Sequence, residues 1–537
     1  MRKMKWLLAL LLVVIMVLGS LGCSSSKSPD ADPSKADGSQ ASESKPEPKT
    51  DPSVVTIAAS AEPEGMDPQI AGAAVGGNLS YNLYDYLVRV AADGRELIPC
   101  LATSWEQVDE RTWRFTLREG VEFTNGEPFN ADAVAYTLKR MFEPDTGRTT
   151  YNLKVVSEWK VVDEYKIDII SDKPCNDMPI RLYDLAILPP KYTEEVGPDK
   201  FGTDPIGCGP YKLGEWVTNS HIELLANENY WDGAPKTDRI VFRTIPEAST
   251  RLAELLAGNI DIVTDLSPDY IETVDSNEGY KATTALSKRV AYVGIDVLNE
   301  DSPKELADKR VRQALNYAID RDTIIKNIYG GHALKLATIW RQDYVGYSDE
   351  LSGGDAGYPY DPNKAKELLK EAGYENGFAV NLYYCPNTFL KCEEATLAIA
   401  GYLEDIGLTI NLNKMEYNAY RAAFINGQEM HQGKGLFSWN WGAKPQTPDG
   451  HLAGALETGG ITSYFTNKEL DDLLAKLRAV DVDGRDAVAV DIQKFLFDEC
   501  PYIYLWQQID VYGINEKNID WTPRLDQYIL GTEINVK

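Results

Sequence analysis

The residue types that most often perform catalysis are sparse in this chain and form no recognisable motif. No serine lies in the strand–turn–helix context of a catalytic nucleophile, and no group of residues has the spacing of a zinc site. The chain of 537 residues has four histidines, which are His221, His332, His431 and His451. The sequence therefore predicts a protein that is not an enzyme and that carries no resident metal or cofactor.

An aromatic segment late in the chain suits ligand binding instead. Trp439 and Trp441 alternate with small or polar residues, and Gly442 and Lys444 follow closely. Indole rings offer large rigid surfaces at a low cost in conformational entropy, which favours their use on the wall of a binding cleft. The end of a buried strand has the same composition, so core packing stays open as the alternative.

The N-terminus has the pattern of an export signal. Basic residues precede an apolar run from Leu7 to Leu18, which has the length of a signal-peptide core and is short for a membrane span. The run ends at Gly22-Cys23 and resembles the lipobox of bacterial lipoproteins, although Ser20 replaces the usual branched residue. The resemblance implies a signal peptide over residues 1–22 and lipidation of Cys23. Ordinary secretion and an uncleaved membrane anchor are the alternatives.

Composition sets the compartment and the class of partner. Residues 24–53 are rich in Ser, Pro, Asp and Lys, which predicts a disordered tether over residues 23–53 between the anchor and the folded body. A lipidated Cys23 would place that body at the outer face of the cytoplasmic membrane, at the cell surface or in the periplasm. The formal net charge of −28 argues against nucleic acid as a partner.

Six further cysteines are scattered over the folded body. An exported protein permits disulfides, and Cys385 and Cys392 could close one short loop, but six thiols allow too many pairings for the connectivity to be read from the sequence. Cys100 and Cys208 stand where small residues would pack, so we expect buried free thiols there.

Strand and helix signals are mixed throughout the body, which indicates an α/β protein. Alternating patterns predict strands at 54–58, 113–117 and 502–512 and a hairpin over 160–169. Periodic apolar residues predict helices from 308 to 319, 470 to 480 and 487 to 497. Asn130, Asp320 and Asp361 are predicted to cap the N-termini of three more helices.

Several motifs occur together and in an order that resembles one family. They include Gly207-Cys208-Gly209-Pro210-Tyr211, Asn229-Tyr230-Trp231-Asp232-Gly233, Gly258-Asn259-Ile260-Asp261 and the segments 101–106, 113–121, 123–134 and 311–321. The set is similar to family 5 of the bacterial extracellular solute-binding proteins, and the likeness covers nearly all of residues 54–537. It implies a monomeric receptor that captures a peptide or peptide-like solute and delivers it to the permease subunits of an ABC importer.

The resemblance also implies a periplasmic-binding-protein-like fold, with two α/β lobes, two crossing strands and an extra inserted subdomain. By analogy, lobe I takes residues 54–85, 203–288 and 500–537, the inserted subdomain takes 86–202, and lobe II takes 289–499. The crossings are expected near 290–295 and 502–506. Two short connections make a hinge, and a ligand between the lobes favours their closure.

The ligand-binding residues implied by the resemblance come from distant segments. They are Trp439, Trp441, Lys444, Asp296, Tyr292, Glu64, Met66 and Tyr81. Peptide receptors of the family have, three residues after the Trp, an Asp that pairs with the ammonium group of the ligand. This chain has Lys444 there. Two like charges about 4 Å apart repel by about 4 kcal/mol at an effective dielectric near 20, so a lysine facing the cleft disfavours an ammonium group and favours an anionic or uncharged one.

Three alternatives stay open from the sequence. Lys444 could point outward or pair with an internal acid such as Asp296. His431 and His451 flank the aromatic segment, so a receptor for a nickel chelate is a lesser possibility. A sensing receptor without transport would have the same sequence, because the importer is encoded elsewhere.

Overall fold

A computed structural model of the chain describes residues 53–70, 74–94, 96–143, 153–183, 185–386, 388–425, 434–442, 448–460, 462–480 and 484–537. The predicted signal peptide, Cys23, nearly all of the predicted tether, His431 and Lys444 lie outside these residues. Within the described ranges, no helix combines the length and the apolarity that crossing a membrane would require.

The described chain alternates strands and helices, as expected for the α/β class. The strands are β1 (Val54–Ala59), β2 (Val88–Val90), β3 (Leu97–Pro99), β4 (Ala102–Gln107), β5 (Thr112–Leu117), β6 (Val156–Asp163), β7 (Lys166–Ser171), β8 (Tyr211–Val217), β9 (His221–Ala226), β10 (Arg239–Thr244), β11 (Ile262–Val263), β12 (Tyr280–Ile295), β13 (Leu334–Lys335), β14 (Ala379–Tyr384), β15 (Thr409–Lys414), β16 (Gly435–Gly442), β17 (Tyr502–Asn515), β18 (Ile519–Asp520) and β19 (Asn535–Val536).

The helices are α1 (Ala74–Leu83), α2 (Ala131–Met141), α3 (Met178–Arg181), α4 (Pro190–Phe201), α5 (Ala248–Leu256), α6 (Ile271–Asp275), α7 (Lys309–Tyr317), α8 (Arg321–Ile328), α9 (Asp349–Ser352), α10 (Pro362–Glu371), α11 (Cys392–Asp405), α12 (Tyr417–Ile425), α13 (Pro448–Ala455), α14 (Lys468–Ala479) and α15 (Arg485–Glu499). The predicted caps at Asn130, Asp320 and Asp361 are confirmed, because each side chain accepts hydrogen bonds from backbone N–H groups in the first turn of its helix.

One long mixed sheet runs through the molecule in the order β15-β14-β16-β12-β17-β11-β1-β10-β9-β8. In its first half, β14 pairs in parallel with β15 and β16, and in its second half β1 pairs in parallel with β10 and β11. The long antiparallel strands β12 and β17 belong to both halves. A separate four-stranded sheet, β4-β5-β7-β6, forms the inserted unit.

The two halves of the sheet meet at a break in the β12–β17 ladder. The register shifts between Leu286 and Val290, and β12 begins to pair with β16 at Arg289. We call residues 287–289 and 507–509 the crossover. The segments 290–295 and 502–506, where the crossings were expected, lie a few residues further along, inside the half that contains β16. The strand pattern of the sequence continues unbroken through both halves and therefore does not mark this point.

The buried side chains form separate clusters on the two halves. One cluster combines β1, β10 and the inserted sheet, with members such as Val55, Phe115, Ile167 and Phe242. Two others cover the two faces of the half that contains β14 and β16. All six cysteines of the body are buried free thiols. Cys385 and Cys392 therefore do not close the short loop considered from the sequence, whereas the expectation for Cys100 and Cys208 is confirmed.

Candidate functional site

The carboxyl ends of two groups of parallel strands meet at the crossover. In lobe II, the β16 end at Gly442 pairs with Arg289, and β14 and β15 end at the same edge of the sheet. In lobe I, Leu266, shortly after β11, donates its N–H to the carbonyl of Val511, which lies next to the crossover. Ligands of open α/β sheets bind outside the carboxyl ends of their strands. By this rule, the strand ends at the crossover are where a ligand would be expected to bind.

A cavity of about 310 Å³ opens at the lobe II edge. The residues that line it are Arg289, Thr388, Tyr417, Trp439, Asn440, Trp441 and Gly442. Thr388 follows β14, Tyr417 follows β15 and the tryptophans belong to β16, so the parallel pairing of three strands brings these residues together. The cavity combines aromatic surfaces with amide, hydroxyl and guanidinium groups, which suits a small polar ligand with an apolar part.

The two tryptophans have different surroundings. Trp439 is 7% exposed and stacks on Tyr420, with 5.6 Å between ring centroids. Trp441 is half-buried and lies parallel to the His451 ring at 6.0 Å. A Cβ at Gly454 would come within 2.8 Å of the Trp441 ring, so the glycine lets α13 pack closely behind it. The rings are thus held from behind, with part of Trp441 left accessible.

His451 is part of this backing. Its ring is fully buried, and its Nδ1 lies 3.2 Å from the Tyr344 hydroxyl. Burial, assisted by the charge of Arg341, lowers the pKa of His451 to about 3, so the ring is neutral at physiological pH. The described ranges contain no group of three or more His, Cys, Asp or Glu residues arranged to hold a metal ion.

Arg289 supplies the positive charge of the cavity. Its side-chain stem packs over Gly442, where a Cβ would come within 3.1 Å of Arg289 Cγ. Within the part of the chain that the structure describes, its guanidinium has neither an ion-pair nor a hydrogen-bond partner, and no acid lines the cavity. An anionic group of a ligand would therefore find a charge that is not already neutralised.

The lobe I side of the crossover carries acidic and amide groups. Gln527 Nε2 donates to the Asp510 carboxylate and, at 3.0 Å, to Ser287 Oγ. Lys288 Nζ lies 4.7 Å above the Tyr528 ring. Burial raises the pKa of Asp510 to about 6, and the charge of Asp265 adds to this rise. The hydrogen bond from Gln527 and the charges of Arg289 and Lys288 lower the pKa and oppose the rise. A carboxylate at the floor of the cleft is thus held in a partly desolvated position.

This shift predicts how Asp510 affects stability. The folded-state pKa lies above the ordinary value of 3.8, so the folded protein binds more protons than the unfolded chain between about pH 4 and pH 6. Stability from this group is therefore lost as the pH rises through 6. We expect Asp510→Asn to raise stability at pH 7 by about 1–2 kcal/mol, a range reduced for partial exposure, with little effect at pH 4.

Thermal unfolding of both proteins between pH 4 and pH 8 measures this difference. Asp265, Lys288 and Arg289 face the carboxyl group of Asp510. Asp265→Asn is therefore the comparison. Without the charge of Asp265, the stability gain from Asp510→Asn should begin at a lower pH but should not disappear. A constant difference between Asp510→Asn and the parent chain at every pH would contradict the prediction.

The other residues expected from the sequence lie away from this cavity. Tyr292 is 1% exposed and stacks on Tyr502. Met66 is buried beside Gly202, and Glu64 lines a separate small cavity there. Tyr81 is buried between Tyr86 and Tyr528, where it supports the Tyr528 ring.

Asp296 is fully buried at the far end of β12. Its carboxylate Oδ1 accepts from the N–H groups of Leu298 and Asn299, and burial raises its pKa to about 6. Its own N–H donates to Gly435, whereas Gly442 pairs with Arg289 at the other end of the ladder. Seven residues of strand, or about 24 Å, separate those ends, so Asp296 lies far from the cavity at Gly442.

Sequence reasoning missed Arg289, Thr388, Tyr417 and Asp510. Arg289 carries no distinctive local signal, because polar residues such as Lys281 and Thr283 also occur earlier on β12. Thr388 and Tyr417 carry no local signal, because only the parallel order of β14, β15 and β16 brings them together. Asp510 becomes notable only when the crossover is located.

The two lobes also touch beyond the crossover. Lys391 Nζ, before α11, lies 2.6 Å from Asp269 Oδ2, before α6. Arg485 at the start of α15 lies 3.9 Å from Asp177, before α3. These ion pairs connect segments that the resemblance assigns to lobe II with segments that it assigns to lobe I and to the inserted subdomain.

Comparison with known proteins finds one matching family and relatives that cover most of the chain. The family described as bacterial extracellular solute-binding proteins, family 5 Middle, matches residues 96–463. The glutathione-binding protein GsiB of Salmonella typhi is 29% identical over 411 residues, which cover 74% of this chain and 78% of the relative. The dipeptide-binding protein of Escherichia coli strain K12 is 29% identical over 486 residues, which cover 82% and 87%.

A solved structure shows the same fold. The ABC transporter substrate binding protein CtaP from Listeria monocytogenes superposes with a TM-score of 0.79 at 23% sequence identity. The superposition covers 91% of this chain and 100% of that chain. The expected two-lobed fold is therefore confirmed.

Proposed function

Because the chain belongs to family 5 of the bacterial extracellular solute-binding proteins, we propose that it captures a peptide or peptide-like solute between its lobes for an ABC importer. Members of this family are transport receptors rather than enzymes. The observation that carries the proposal is the aromatic cavity beside Arg289 at the carboxyl ends of β14, β15 and β16. Two relatives are named for glutathione and for dipeptides, which supports a peptide-sized solute.

The proposed lobes are residues 54–85, 203–288 and 500–537 for lobe I and 289–499 for lobe II, with 86–202 inserted. The register change between Leu286 and Val290 and the separate buried clusters support this division. Opening would rotate the lobes about the crossover and break the contacts of Lys391 and Arg485. Ligand binding on both walls favours the closed arrangement that a permease would recognise.

The experiment that tests the receptor function starts from protein purified from its own cells. Native mass spectrometry should detect a retained small molecule, because a closed receptor releases its ligand slowly. After removal of that molecule, solution scattering should show a more extended particle that becomes compact again when the molecule is returned. An unchanged scattering curve together with no retained molecule would reject the proposal.

We also propose that Cys23 is lipidated and that residues 23–53 tether the receptor, as a monomer, to the outer face of the membrane. Cys23→Ser is expected to move the protein from the membrane fraction to the soluble fraction and to abolish labelling by a fatty-acid analogue. Binding by the folded body should not change, because the body begins near β1. Equal membrane association of both forms would show that the thiol is not the anchor.

A non-peptide solute with an anionic or uncharged group is the second candidate. Lys444 stands where peptide receptors of the family carry the ammonium-binding Asp, and Arg289 adds a positive charge at the same strand end. A retained molecule with a carboxylate or phosphate and no amine would favour this candidate.

A nickel-chelate receptor is a lesser candidate. His431 lies outside the described residues, and His451 is buried with its Nδ1 beside Tyr344. Burial of His451 behind Trp441 does not favour the candidate. Calorimetry with nickel and free histidine tests it directly, and the absence of heat would remove it.

A further inference from the structure

A second cavity lies at one end of the inserted four-stranded sheet. Its volume is about 330 Å³, which is at the lower end of the range for small-molecule sites. It shares no lining residue with the aromatic cavity beside Arg289. We call it the basic cavity, and the charged residues of its lining are Lys154, Asp172, Lys173, Arg181, Glu457 and Arg478.

Two separate parts of the chain form the walls of the basic cavity. One wall is the end of the inserted sheet, where the N–H of Asp172 donates to the carbonyl of Val155 at 2.9 Å and brings the end of β7 next to the start of β6. The other wall is the turn after α13, where Arg478 of α14 donates two hydrogen bonds, 2.7 and 2.8 Å long, to the Glu457 carboxylate. The resemblance assigns the first wall to the inserted subdomain and the second to lobe II, so the proposed opening of the lobes would separate them.

The charge of this cavity is opposite in sign to that of the protein. Its lining has four basic side chains and two acidic ones, whereas the whole chain has 54 lysines and arginines against 82 aspartates and glutamates. Two other cavities of the described structure follow the composition of the chain. One has two glutamates and one lysine in its lining, and the other has three acidic residues and no basic one. The excess of two positive charges is therefore a feature of the basic cavity rather than of the composition.

Behind the cavity, two guanidinium groups share one buried carboxylate. Asp177 accepts hydrogen bonds from Arg181 at 2.7 and 3.0 Å, and Arg485 at the start of α15 lies 3.9 Å from it. Burial raises the pKa of Asp177, but the charges of the two arginines outweigh burial and hold the pKa below its usual value. The carboxylate is therefore ionised. Because Asp177 and Arg485 have opposite charges, including them leaves the excess of two positive charges unchanged.

Buried polar atoms without partners occur at the same junction. Asn176 stands between Asp177 and Cys175, which lines the cavity, and its Oδ1 and Nδ2 are both buried without a hydrogen bond to any described residue. Arg485 Nε is in the same state. Buried polar groups are normally satisfied by protein, water or ligand, and leaving them unpaired is unfavourable. A polar ligand that reaches this junction would meet groups that still need partners.

The basic side chains of the cavity suit a phosphate group. Lys173 is exposed and, within the described ranges, forms neither an ion pair nor a hydrogen bond, so a ligand can reach its charge. Arg181 and Arg478 are each fixed in orientation by a carboxylate. A guanidinium that is already oriented loses little entropy when it binds an anion, and arginine and lysine are the usual protein partners of phosphate.

We propose that the basic cavity binds a phosphate group, either as the free ion or as a small phosphate monoester. A phosphate monoester carries about −1.5 to −2 charges at pH 7, which matches the excess of two positive charges. Bound there, the phosphate group contacts both walls and favours the arrangement in which they lie together. Phosphate and the retained solute should therefore strengthen each other's binding. Binding at this cavity does not depend on the proposed receptor function, whereas the effect on the solute does.

The test is calorimetric titration of the full-length protein, stripped of any retained molecule, with inorganic phosphate and with methyl phosphate. Sodium chloride keeps the ionic strength constant. Saturable heat with one site per chain is expected for at least one of the two probes, and the tighter probe identifies the free ion or the monoester as the source. Heat that does not saturate with either probe would overturn the proposal.

One charge reversal assigns the site. Lys173→Glu should weaken phosphate binding by about tenfold or more, because a repulsive charge replaces an attractive one at an exposed position where folding tolerates change. Lys366→Glu makes the same exchange at an exposed lysine of α10 that does not line the cavity, and it should leave the affinity unchanged. Binding that survives Lys173→Glu, or that both variants weaken equally, would overturn the assignment to this cavity.

The effect on closure has its own readout. Phosphate should make the stripped protein more compact in solution scattering and slow the release of the retained molecule by about fivefold or more, and Lys173→Glu should abolish both effects. If phosphate binds without either effect, the anion site stands and the coupling is wrong. If the protein neither retains a molecule nor changes shape, the receptor function fails, whereas calorimetry still decides the anion site.

Discussion

Trp441→Ala is expected to weaken binding of the retained natural ligand by about 10- to 100-fold. The half-buried ring lines the cavity beside Arg289 and is held in place by His451 and Gly454. Rigid aromatic anchors of this kind contribute about 2 kcal/mol or more to binding when a ligand covers them. Trp441 is a better probe than Trp439, because Trp439 is 7% exposed and its removal would also cost about 3–5 kcal/mol of core packing.

Titration of stripped protein with the ligand recovered by mass spectrometry measures the effect. Trp159→Ala is the matched control, since Trp159 is also half-buried but lies on β6 of the inserted sheet, where it stacks on Phe142. The control should lose stability and keep its affinity. Equal affinities of the Trp441 variant and the parent chain would mean that the ring only packs against α13.

Asp343→Asn is expected to destabilise lobe II by about 3–5 kcal/mol. Arg341 and Asp343 form a pair with almost no exposed side-chain surface, joined at 2.5 and 2.8 Å. Arg341 also donates to the carbonyl of Lys288 at the crossover. Removing the carboxylate charge takes a close counter-ion away from a fully buried guanidinium, which is among the most destabilising changes a single residue can make.

The midpoint of urea unfolding, followed by tryptophan fluorescence, measures this loss. Asp301→Asn is the control, because it breaks an ion pair with Lys434 in which both side chains are exposed, and such pairs contribute at most about 1 kcal/mol. Because Arg341 contacts the crossover, Asp343→Asn should also alter the scattering change on ligand addition. Similar midpoints for the two variants would show that the Arg341 charge finds another partner.

The sequence predicted local structure well because the interactions that decide it are local. Asn130, Asp320 and Asp361 cap their helices as expected, since a cap depends on a side chain and the N–H groups two or three residues later. The aromatic segment around Trp439 and Trp441 was also recognisable, because composition alone suggested either a cleft wall or a core strand. Trp439 is mostly buried, whereas Trp441 is partly open at the cavity, and its place on the wall of a ligand cleft stays a prediction.

The burial of a strand residue depends on register, which local patterns do not show. Tyr292 on β12 and Asp296 just after it are buried in the structure, and their role in ligand binding stays a prediction. The crossings near 290–295 and 502–506 stay a prediction, and the register shift lies directly beside them. Neither strand contains a residue type that announces a change of lobe.

The amino-acid sequence by itself determined the α/β class, three helix N-caps, the family and the aromatic character of the segment around Trp439 and Trp441. These follow from residue types and from periodicities over a few neighbours. Only the tertiary structure brought Thr388, Tyr417 and Arg289 to the same edge as Trp441, and Asp510 next to the crossover. The physical reason is that parallel strand ends and a broken ladder bring together residues from separate segments of the chain through backbone hydrogen bonds, which are common to every residue type.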